Sequence, residues 1–282
     1  MRIVFILVAG VMVFLAGLYF FSRKLLYFPA PVSPDRLSYI TANMPDVEEI
    51  QIPVENNVVL HGWFVQKDLA RLPTLFYFGG NAEEVSANLE PYAAKLSANV
   101  VLVNYRGYGL SSGTPTETRL KSDALVIYDH MADRFGLDPA ASAAWGRSLG
   151  SSMAAHLALE RGLGRLILTC PFDSIQGVAA AYYPPWLVNL VLQDRHRTID
   201  FSSRIRSSTL VLASRDDEVI PIDNTQKLFD SLTCPKKMVH IHGAGHNTIS
   251  LFDDYYDHVN RFLKKDPVPL QLPDQPASGK SF

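Results

Sequence analysis

The hydrophobic pattern of the chain begins with one long apolar run. Residues 3–21 carry no charge, with Arg2 before them and Arg23 and Lys24 after them. A helix rises about 1.5 Å per residue, so a run of this length can span a hydrocarbon core about 30 Å thick. The pattern therefore predicts a transmembrane anchor over residues 1–24 and a single-pass membrane protein.

A cleavable signal peptide is the main alternative for this segment. Signal peptides close their apolar run with a small-x-small cleavage site. Here Ala16 has Phe14 two positions before it and Gly17 has Leu15, so neither pair provides such a site. The run is also long for a signal peptide, and a buried core helix is a third interpretation. The positive charges on the two flanks are balanced, which leaves the side of the membrane undetermined.

Beyond residue 46, short apolar segments alternate with longer amphipathic ones. Polar and apolar positions alternate over 47–54 and 57–65, on both sides of a turn at 55–57, which predicts a β-hairpin. Further strands are predicted at 74–78, 99–105, 141–145, 166–169, 209–213 and 237–241, and helices at 83–96, 118–135, 151–160 and 251–265. Continuous apolar strands that alternate with helices indicate an α/β fold, a parallel sheet with helices on both faces.

The same pattern divides the chain into four parts. The anchor is followed by a linker marked by prolines at 25–46, a catalytic domain at 47–265 and a flexible tail at 266–282. Apolar residues make up 48% of the chain, the formal charge is −2 and no basic run occurs, which argues against a nucleic-acid-binding protein. The two cysteines have neither metal-ligand nor disulfide spacing. Composition is that of a globular enzyme.

The most specific motif is Gly-Arg-Ser-Leu-Gly at 146–150, between a predicted strand and a predicted helix. In that context Gly-x-Ser-x-Gly forms a nucleophile elbow, a sharp turn that lifts the serine hydroxyl above the sheet. Glycine two positions before and after the serine avoids a steric clash at the turn. The motif predicts Ser148 as a nucleophile, with an ordinary turn and a solvated serine as the alternative.

A serine nucleophile needs a histidine base and a carboxylate that orients the histidine, in the chain order serine, acid, histidine. His246 follows the last predicted strand in a glycine-rich loop at 243–247, which can place a side chain over the strand ends. His240 and His242 belong to that strand and its end, and His156 lies within the predicted helix after the elbow. We therefore predict His246 as the base.

Three consecutive acidic residues at 216–218 follow the preceding strand. Spacing does not choose among them, but Asp217 is favoured because apolar sequence resumes two positions later. Asp216 is the alternative in the same loop, and Asp173 is a more distant candidate after the strand at 166–169. The sequence predicts Asp217 as the acid and leaves Asp216 open.

The reaction also requires backbone N–H donors aimed at the negative charge that develops on the substrate oxygen. One donor is expected from Leu149, the residue after the nucleophile, and the other from the loop after the first parallel strand. That loop reads Gly-Gly-Asn, and its glycines allow the backbone to approach a substrate closely. We predict Asn81 as the second donor and Gly80 as a substrate contact.

Together these motifs resemble the α/β-hydrolase superfamily, and more closely its membrane-anchored serine hydrolases of the bud-emergence-homologue and abhydrolase-domain group. The matching motifs lie at 78–82, 104–113, 146–150, 217–221 and 243–246, and Leu-Leu-Tyr-Phe-Pro at 25–29 follows the anchor as in that group. The resemblance extends over residues 20–265 and implies a mostly parallel, eight-stranded sheet. One position departs from the group, which usually has histidine where Gly79 stands.

The resemblance implies hydrolysis of acyl esters or thioesters, with lipids or acylated proteins as substrates of some members, and no metal or cofactor. The aromatic segment at 182–188 either lines an acyl pocket or packs over the strand ends, and Tyr182, Tyr183 and Trp186 are its candidate substrate contacts. A peptidase or amidase with the same triad and a non-catalytic membrane scaffold are the alternatives. Acyl length and oligomeric state stay open.

Overall fold

One mixed sheet organises the molecule in the computed structural model, which describes residues 1–55 and 57–264. The strands in those ranges are β1 (Val47–Glu55), β2 (Val58–Val65), β3 (Thr74–Phe78), β4 (Asn99–Val103), β5 (Ser142–Arg147), β6 (Arg165–Thr169), β7 (Ser208–Ala213) and β8 (Lys236–His240). Their order is β1-β2-β4-β3-β5-β6-β7-β8. Strand β2 is antiparallel to β1 and β4, and the other pairs are parallel. The predicted mostly parallel, eight-stranded sheet is confirmed.

The helices of the described residues alternate with these strands. They are α1 (Arg2–Leu26), α2 (Pro34–Asn43), α3 (Leu89–Lys95), α4 (Glu117–Phe135), α5 (Gly150–Arg161), α6 (Ile175–Tyr182), α7 (Pro185–Val191), α8 (Ile222–Ser231) and α9 (Asp253–Lys264). The predicted tail at 266–282, the last residue of the predicted closing helix and Asn56 in the predicted turn lie outside the described residues.

The helix predicted over 83–96 is wrong at its start. A 3₁₀ turn occupies Val85–Asn88, and the α-helix begins only at Leu89. The Glu83 carboxylate turns back instead and accepts a hydrogen bond from the N–H of Gly80 at 2.8 Å. Glu83 therefore fixes the loop after β3 rather than the N-terminus of a helix.

Alternating side chains of the strands point into two cores, one on each face of the sheet. Phe76 and Phe78 of β3 pack in the core that also contains residues of α4 and α5. Leu75 and Tyr77 of the same strand pack in the opposite core with residues of α3 and α9. Both faces are thus covered, and the carboxyl ends of the parallel strands are left as the edge where ligands bind in such sheets.

Helix α1 differs from the other helices in the exposure of its apolar side chains. It has 25 residues, and within its most apolar 18-residue window no side chain is buried. Its length and composition are those of a helix that can cross a membrane. Its last turns contact the rest of the molecule, where Ser22 is buried and the Arg23 guanidinium forms two 3.1 Å hydrogen bonds with Asp194.

The segment 25–46, which the sequence indicates as a linker, contains α2 and lies against the body of the molecule. The Ser33 hydroxyl caps this helix by accepting the N–H of Arg36, and Pro34 occupies the first turn. Ile40 is 2% exposed in the core beside α3, and the Arg36 guanidinium pairs with Glu90. The division of the chain into anchor, linker, domain and tail stays a prediction.

Gly150→Ala is expected to destabilise the fold strongly. A Cβ at residue 150 would lie 2.0 Å from the carbonyl oxygen of Phe78, which is backbone that cannot move without distorting β3. Overpacking of this kind costs about 3 kcal/mol or more when backbone must shift. Urea unfolding in detergent measures the loss. Gly17→Ala is the control because a Cβ there meets no atom within 4 Å, and equal stability of the two variants would contradict the account.

Candidate active site

The turn between β5 and α5 holds Ser148 in a conformation that few non-glycine residues adopt. Its φ is +49°, in the left-handed region, which costs energy for a residue with a Cβ. The turn is tight because a Cβ on Gly146 would lie 2.3 Å from the carbonyl oxygen of Gly150. The N–H of Ser148 donates to the carbonyl of Thr169 at 2.8 Å, which ties the turn to β6. This geometry is that of a nucleophile elbow.

Two loops bring His246 and Asp217 to this serine. Nε2 of His246 lies 3.0 Å from Oγ of Ser148, and Nδ1 lies 2.8 Å from Oδ2 and 3.0 Å from Oδ1 of Asp217. An ionised carboxylate only accepts hydrogen bonds, so Nδ1 carries the proton and Nε2 is free to accept from the serine hydroxyl. The side chains of Asp217 and His246 are 4% and 6% exposed, respectively.

The Asp217 carboxylate is kept ionised in this buried position. Burial alone would raise its pKa, but the hydrogen bonds from His246 and from the N–H groups of Ile220 and Val219 outweigh burial. The pKa of Asp217 therefore lies below its ordinary value. At neutral pH the carboxylate is charged and lies against the protonated Nδ1 of His246.

The structure does not bring the other predicted acids to the histidine. The side chain of Asp216 is exposed, and the backbone N–H of that residue donates to the hydroxyl of Ser214. Asp173 is buried beside Asn224, which donates to its Oδ1 at 2.6 Å. Asp217 is thus the acidic side chain of these candidates that contacts His246.

Charged side chains that the sequence did not single out hold the histidine loop. The N–H of His246 donates to Oε2 of Glu218 at 2.9 Å. The carbonyl of His246 accepts from Nη2 of Arg147 at 3.2 Å, and Nη1 of Arg147 forms a 2.7 Å ion pair with Glu83. Arg147 lies directly before Ser148, so this pair joins the turn at Ser148, the loop that carries His246 and the loop after β3.

The predicted oxyanion donors lie in two different loops, one directly before α5 and one after β3. Within the described residues, the N–H groups of Leu149 and Asn81 have no hydrogen-bond acceptor. The Gly80 N–H is occupied by Glu83, yet a Cβ on Gly80 would lie only 3.8 Å from Cβ of Ser148. The Gly80–Asn81 backbone therefore passes close to Ser148.

The Asn81 side chain is fixed by the segment that follows α1. Its Oδ1 accepts from the N–H of Phe28 at 3.0 Å and from the hydroxyl of Tyr108 at 2.8 Å. Its amide nitrogen donates to the carbonyl of Leu26. The position of the second predicted donor is thus set by residues at the end of the apolar helix.

Cys170 is a further residue at the site that the sequence did not indicate. It has a φ of +46°, and its sulfur, a carboxylate oxygen of Asp217 and a ring nitrogen of His246 lie within 4.8 Å of one another. These three groups could in principle hold a metal ion. Burial and the charge of Asp217 raise the pKa of the Cys170 thiol, however, and a metal would require the thiolate. The donor set therefore favours a neutral thiol packed against the acid.

Relatives that match the chain along most of its length decide the family. No protein-family model matches the chain. Uncharacterized protein Rv2307c of Mycobacterium tuberculosis is 30% identical over 272 residues, which cover 94% of this chain and 94% of that protein. Alpha/beta hydrolase domain-containing protein WAV2 of Arabidopsis thaliana is 31% identical over 251 residues, which cover 79% and 78%. The chain belongs to the α/β-hydrolase superfamily, in its abhydrolase-domain group. It is a hydrolase.

Solved structures agree with the fold of this hydrolase. An esterase of Pyrococcus furiosus superposes with a TM-score of 0.65 at 19% identity and covers 86% of this chain and 98% of its own. At that identity the similarity concerns the fold. The shared fold places the elbow, acid and histidine loops of the hydrolase at the carboxyl ends of β5, β7 and β8.

The segment between β6 and β7 covers one side of the site in this hydrolase. The hydroxyl of Tyr182, at the end of α6, donates to the carbonyl of Val219 in the acid loop at 3.2 Å. Tyr183 lines an apolar groove together with residues of α1, and Trp186 at the start of α7 is 64% exposed. The three aromatic residues of 182–188 thus have different surroundings and do not form one wall.

Buried hydrogen bonds connect the segment between β6 and β7 to the residue that follows α1. The Tyr27 hydroxyl donates to Asp194 and lies 2.9 Å from Nε2 of His196, which is fully buried. The pKa of His196 is lowered to about 4, mainly by burial. The negative charges of Glu117 and Asp194 raise this pKa, and the positive charge of Lys121 lowers it. His196 is therefore neutral in the folded hydrolase at pH 6, where an unfolded chain would partly protonate it.

Acidification is expected to destabilise the hydrolase through His196. Between pH 6.5 and 4 the unfolded state binds a proton at this position that the folded state does not, so stability falls with falling pH. The loss between pH 7 and pH 5 is about 2 kcal/mol. His196→Asn should flatten the pH dependence of the unfolding free energy, because it removes the titrating imidazole. Asparagine also tolerates the φ of +42° at this position. The exposed His242→Asn is the control; equal slopes in both variants would contradict this.

Proposed function

We propose that this hydrolase is a serine hydrolase that cleaves acyl esters or thioesters through an acyl-enzyme. The observation that carries the proposal is the continuous hydrogen-bonded path from Ser148 through His246 to Asp217. The serine stands in an elbow, the histidine has the correct nitrogen free, and the acid is buried and ionised. A scaffold without catalysis would not need these three features together.

The first half of the reaction forms the acyl-enzyme. Oγ of Ser148 attacks the carbonyl carbon while its proton passes to Nε2 of His246, and Asp217 stabilises the resulting imidazolium. The carbonyl oxygen becomes negative between the N–H groups of Leu149 and Asn81, which have no acceptor among the described residues. His246 then gives its proton to the leaving oxygen or sulfur as the bond to carbon breaks.

The second half returns the enzyme to its starting state. A water molecule attacks the acyl carbon and gives a proton to His246, and the serine–acyl bond breaks as that proton returns to Oγ of Ser148. The products are the carboxylic acid and the free serine. Each step uses groups of the chain itself.

We further propose that α1 anchors the hydrolase in a membrane as a single-pass helix, with the catalytic domain beginning at residue 47. The support is the length of α1, its apolar composition and the exposure of its side chains. Tyr19, Phe20 and Phe21 near its end suit the interface between hydrocarbon and water. The linker with α2 then forms part of the folded body, and the balanced flanking charges leave either orientation open.

Matched substrates test the proposed reaction. The full chain in detergent is given p-nitrophenyl butyrate, the butyryl thioester and butyryl p-nitroanilide, which share an acyl group and differ in the leaving atom. Hydrolysis of the ester and thioester well above the anilide is the expected result. Faster cleavage of the anilide would instead indicate an amidase, and no hydrolysis of any of them by folded protein would overturn the proposal.

A further inference from the structure

A groove runs between the last turns of α1 and the helices α6 and α7. Its volume is about 420 Å³, within the range of small-molecule sites. Leu18, Leu25 and Leu26 form the α1 side, while residues such as Ala179 and Leu187 form the other. Apart from Ser22 and Tyr183, every lining residue has a pure hydrocarbon side chain. Such a lining favours an aliphatic ligand without hydrogen-bonding groups.

The position of the groove fixes where a ligand would come from. One wall is the C-terminal part of the helix that is proposed to cross the membrane, so the groove lies where the chain leaves the bilayer. On the outer side of α7, Trp186 and Leu190 are more than half exposed, as is Phe21 of α1. An exposed apolar rim of this kind suits contact with lipid.

One residue of the groove wall contacts the loop after β3. Leu26 lines the groove, and its carbonyl accepts a hydrogen bond from the amide of Asn81. Asn81 follows Gly80, whose missing Cβ would lie 3.8 Å from Cβ of Ser148. Leu26 therefore belongs both to the wall of the groove and to the contacts that hold the loop after β3.

We propose that this groove binds the hydrocarbon chain of an acyl substrate that enters from the bilayer, with its ester or thioester carbonyl at Ser148. The inference rests on the proposed ester hydrolysis and on α1 as a membrane helix. It assigns α1 a second role as one wall of the acyl site. Because the anchor forms the site, a long acyl chain reaches the serine without passing through water.

The first test is a chain-length profile in phosphatidylcholine nanodiscs. The wild type should hydrolyse p-nitrophenyl laurate with a higher kcat/KM than p-nitrophenyl butyrate. Ala179→Phe should lower the laurate-to-butyrate ratio about tenfold, because the ring displaces about two methylene groups. Leu187→Phe, on α7, should act in the same direction. Ala181→Phe is the matched control, since Ala181 is exposed on the same helix and outside the groove.

A second experiment is independent of hydrolysis. Palmitic acid with a terminal diazirine is incorporated into phosphatidylcholine nanodiscs with the Ser148→Ala chain and activated by light. Crosslinks should map to α6 and α7, and Ala179→Phe should reduce them while Ala181→Phe does not. Absent ester hydrolysis with these crosslinks would overturn only the proposed function. Unchanged chain-length ratios in both groove variants, or crosslinks that do not respond to Ala179→Phe, would overturn the groove as the acyl site.

Discussion

Ser148→Ala is expected to lower kcat for p-nitrophenyl butyrate by about 10⁶-fold, to the rate that positioning and the oxyanion donors alone support. The reason is that no other hydroxyl in the described part of the chain is hydrogen-bonded to Nε2 of His246. The variant should fold normally, because alanine removes one hydroxyl from a residue whose backbone bond to Thr169 remains. Initial-rate kinetics and thermal unfolding on the same preparation measure both effects.

Ser152→Ala provides the matched control for this result. Ser152 is fully buried on α5, and its hydroxyl has no hydrogen-bond partner among the described residues. It lies one turn from the elbow without touching the histidine, so kcat should stay near the wild-type value. Loss of activity in both variants would point to disruption of the elbow rather than removal of a nucleophile. Retained activity in Ser148→Ala would exclude Ser148.

Asp217→Asn is expected to lower kcat by about 10⁴-fold with little change in KM. Asparagine keeps the shape of the side chain but offers no full charge to the imidazolium, and its amide group can force the wrong tautomer on His246. The N–H groups of Val219 and Ile220 can still donate to its carbonyl oxygen, so the loop should keep its conformation. The loss should therefore appear in kcat and not in stability.

Asp216→Asn tests whether Asp217 or the neighbouring Asp216 is the acid of the triad. Asp216 is exposed, and among the described residues its side chain has no hydrogen bond to His246. Its variant should therefore retain kcat within about threefold. A larger effect at position 216 than at 217 would contradict the assignment. So would a wild-type rate in Asp217→Asn.

Much of the fold follows from local pattern alone. Strand β3 and helix α4 are continuous in their periodicity, and the structure has them at the predicted positions to within one residue. The elbow can also be predicted, because a Cβ on Gly146 or Gly150 would lie only 2.3 Å or 2.0 Å from a backbone oxygen, so both positions require glycine. A motif such as Gly-x-Ser-x-Gly can be predicted because one steric requirement explains the spacing of its glycines.

Contacts between distant segments could not be predicted in this way. Arg147 pairs with Glu83, 64 positions earlier, and nothing in either local sequence distinguishes that pair from solvated charges. Cys170 reaches the acid only because β6 and β7 are neighbours in the sheet. Helix α2 is short and lies within a proline-marked segment, which the sequence indicates as a linker. Long-range packing decides these features.

The most direct test of the account is the site of covalent modification. The wild-type chain is treated with a fluorophosphonate, digested and mapped by mass spectrometry, beside Ser148→Ala and Ser152→Ala. The account predicts one phosphonyl adduct on Ser148 in the wild type and in Ser152→Ala, and none in Ser148→Ala. An adduct on another residue, or undiminished labelling of Ser148→Ala, would contradict it.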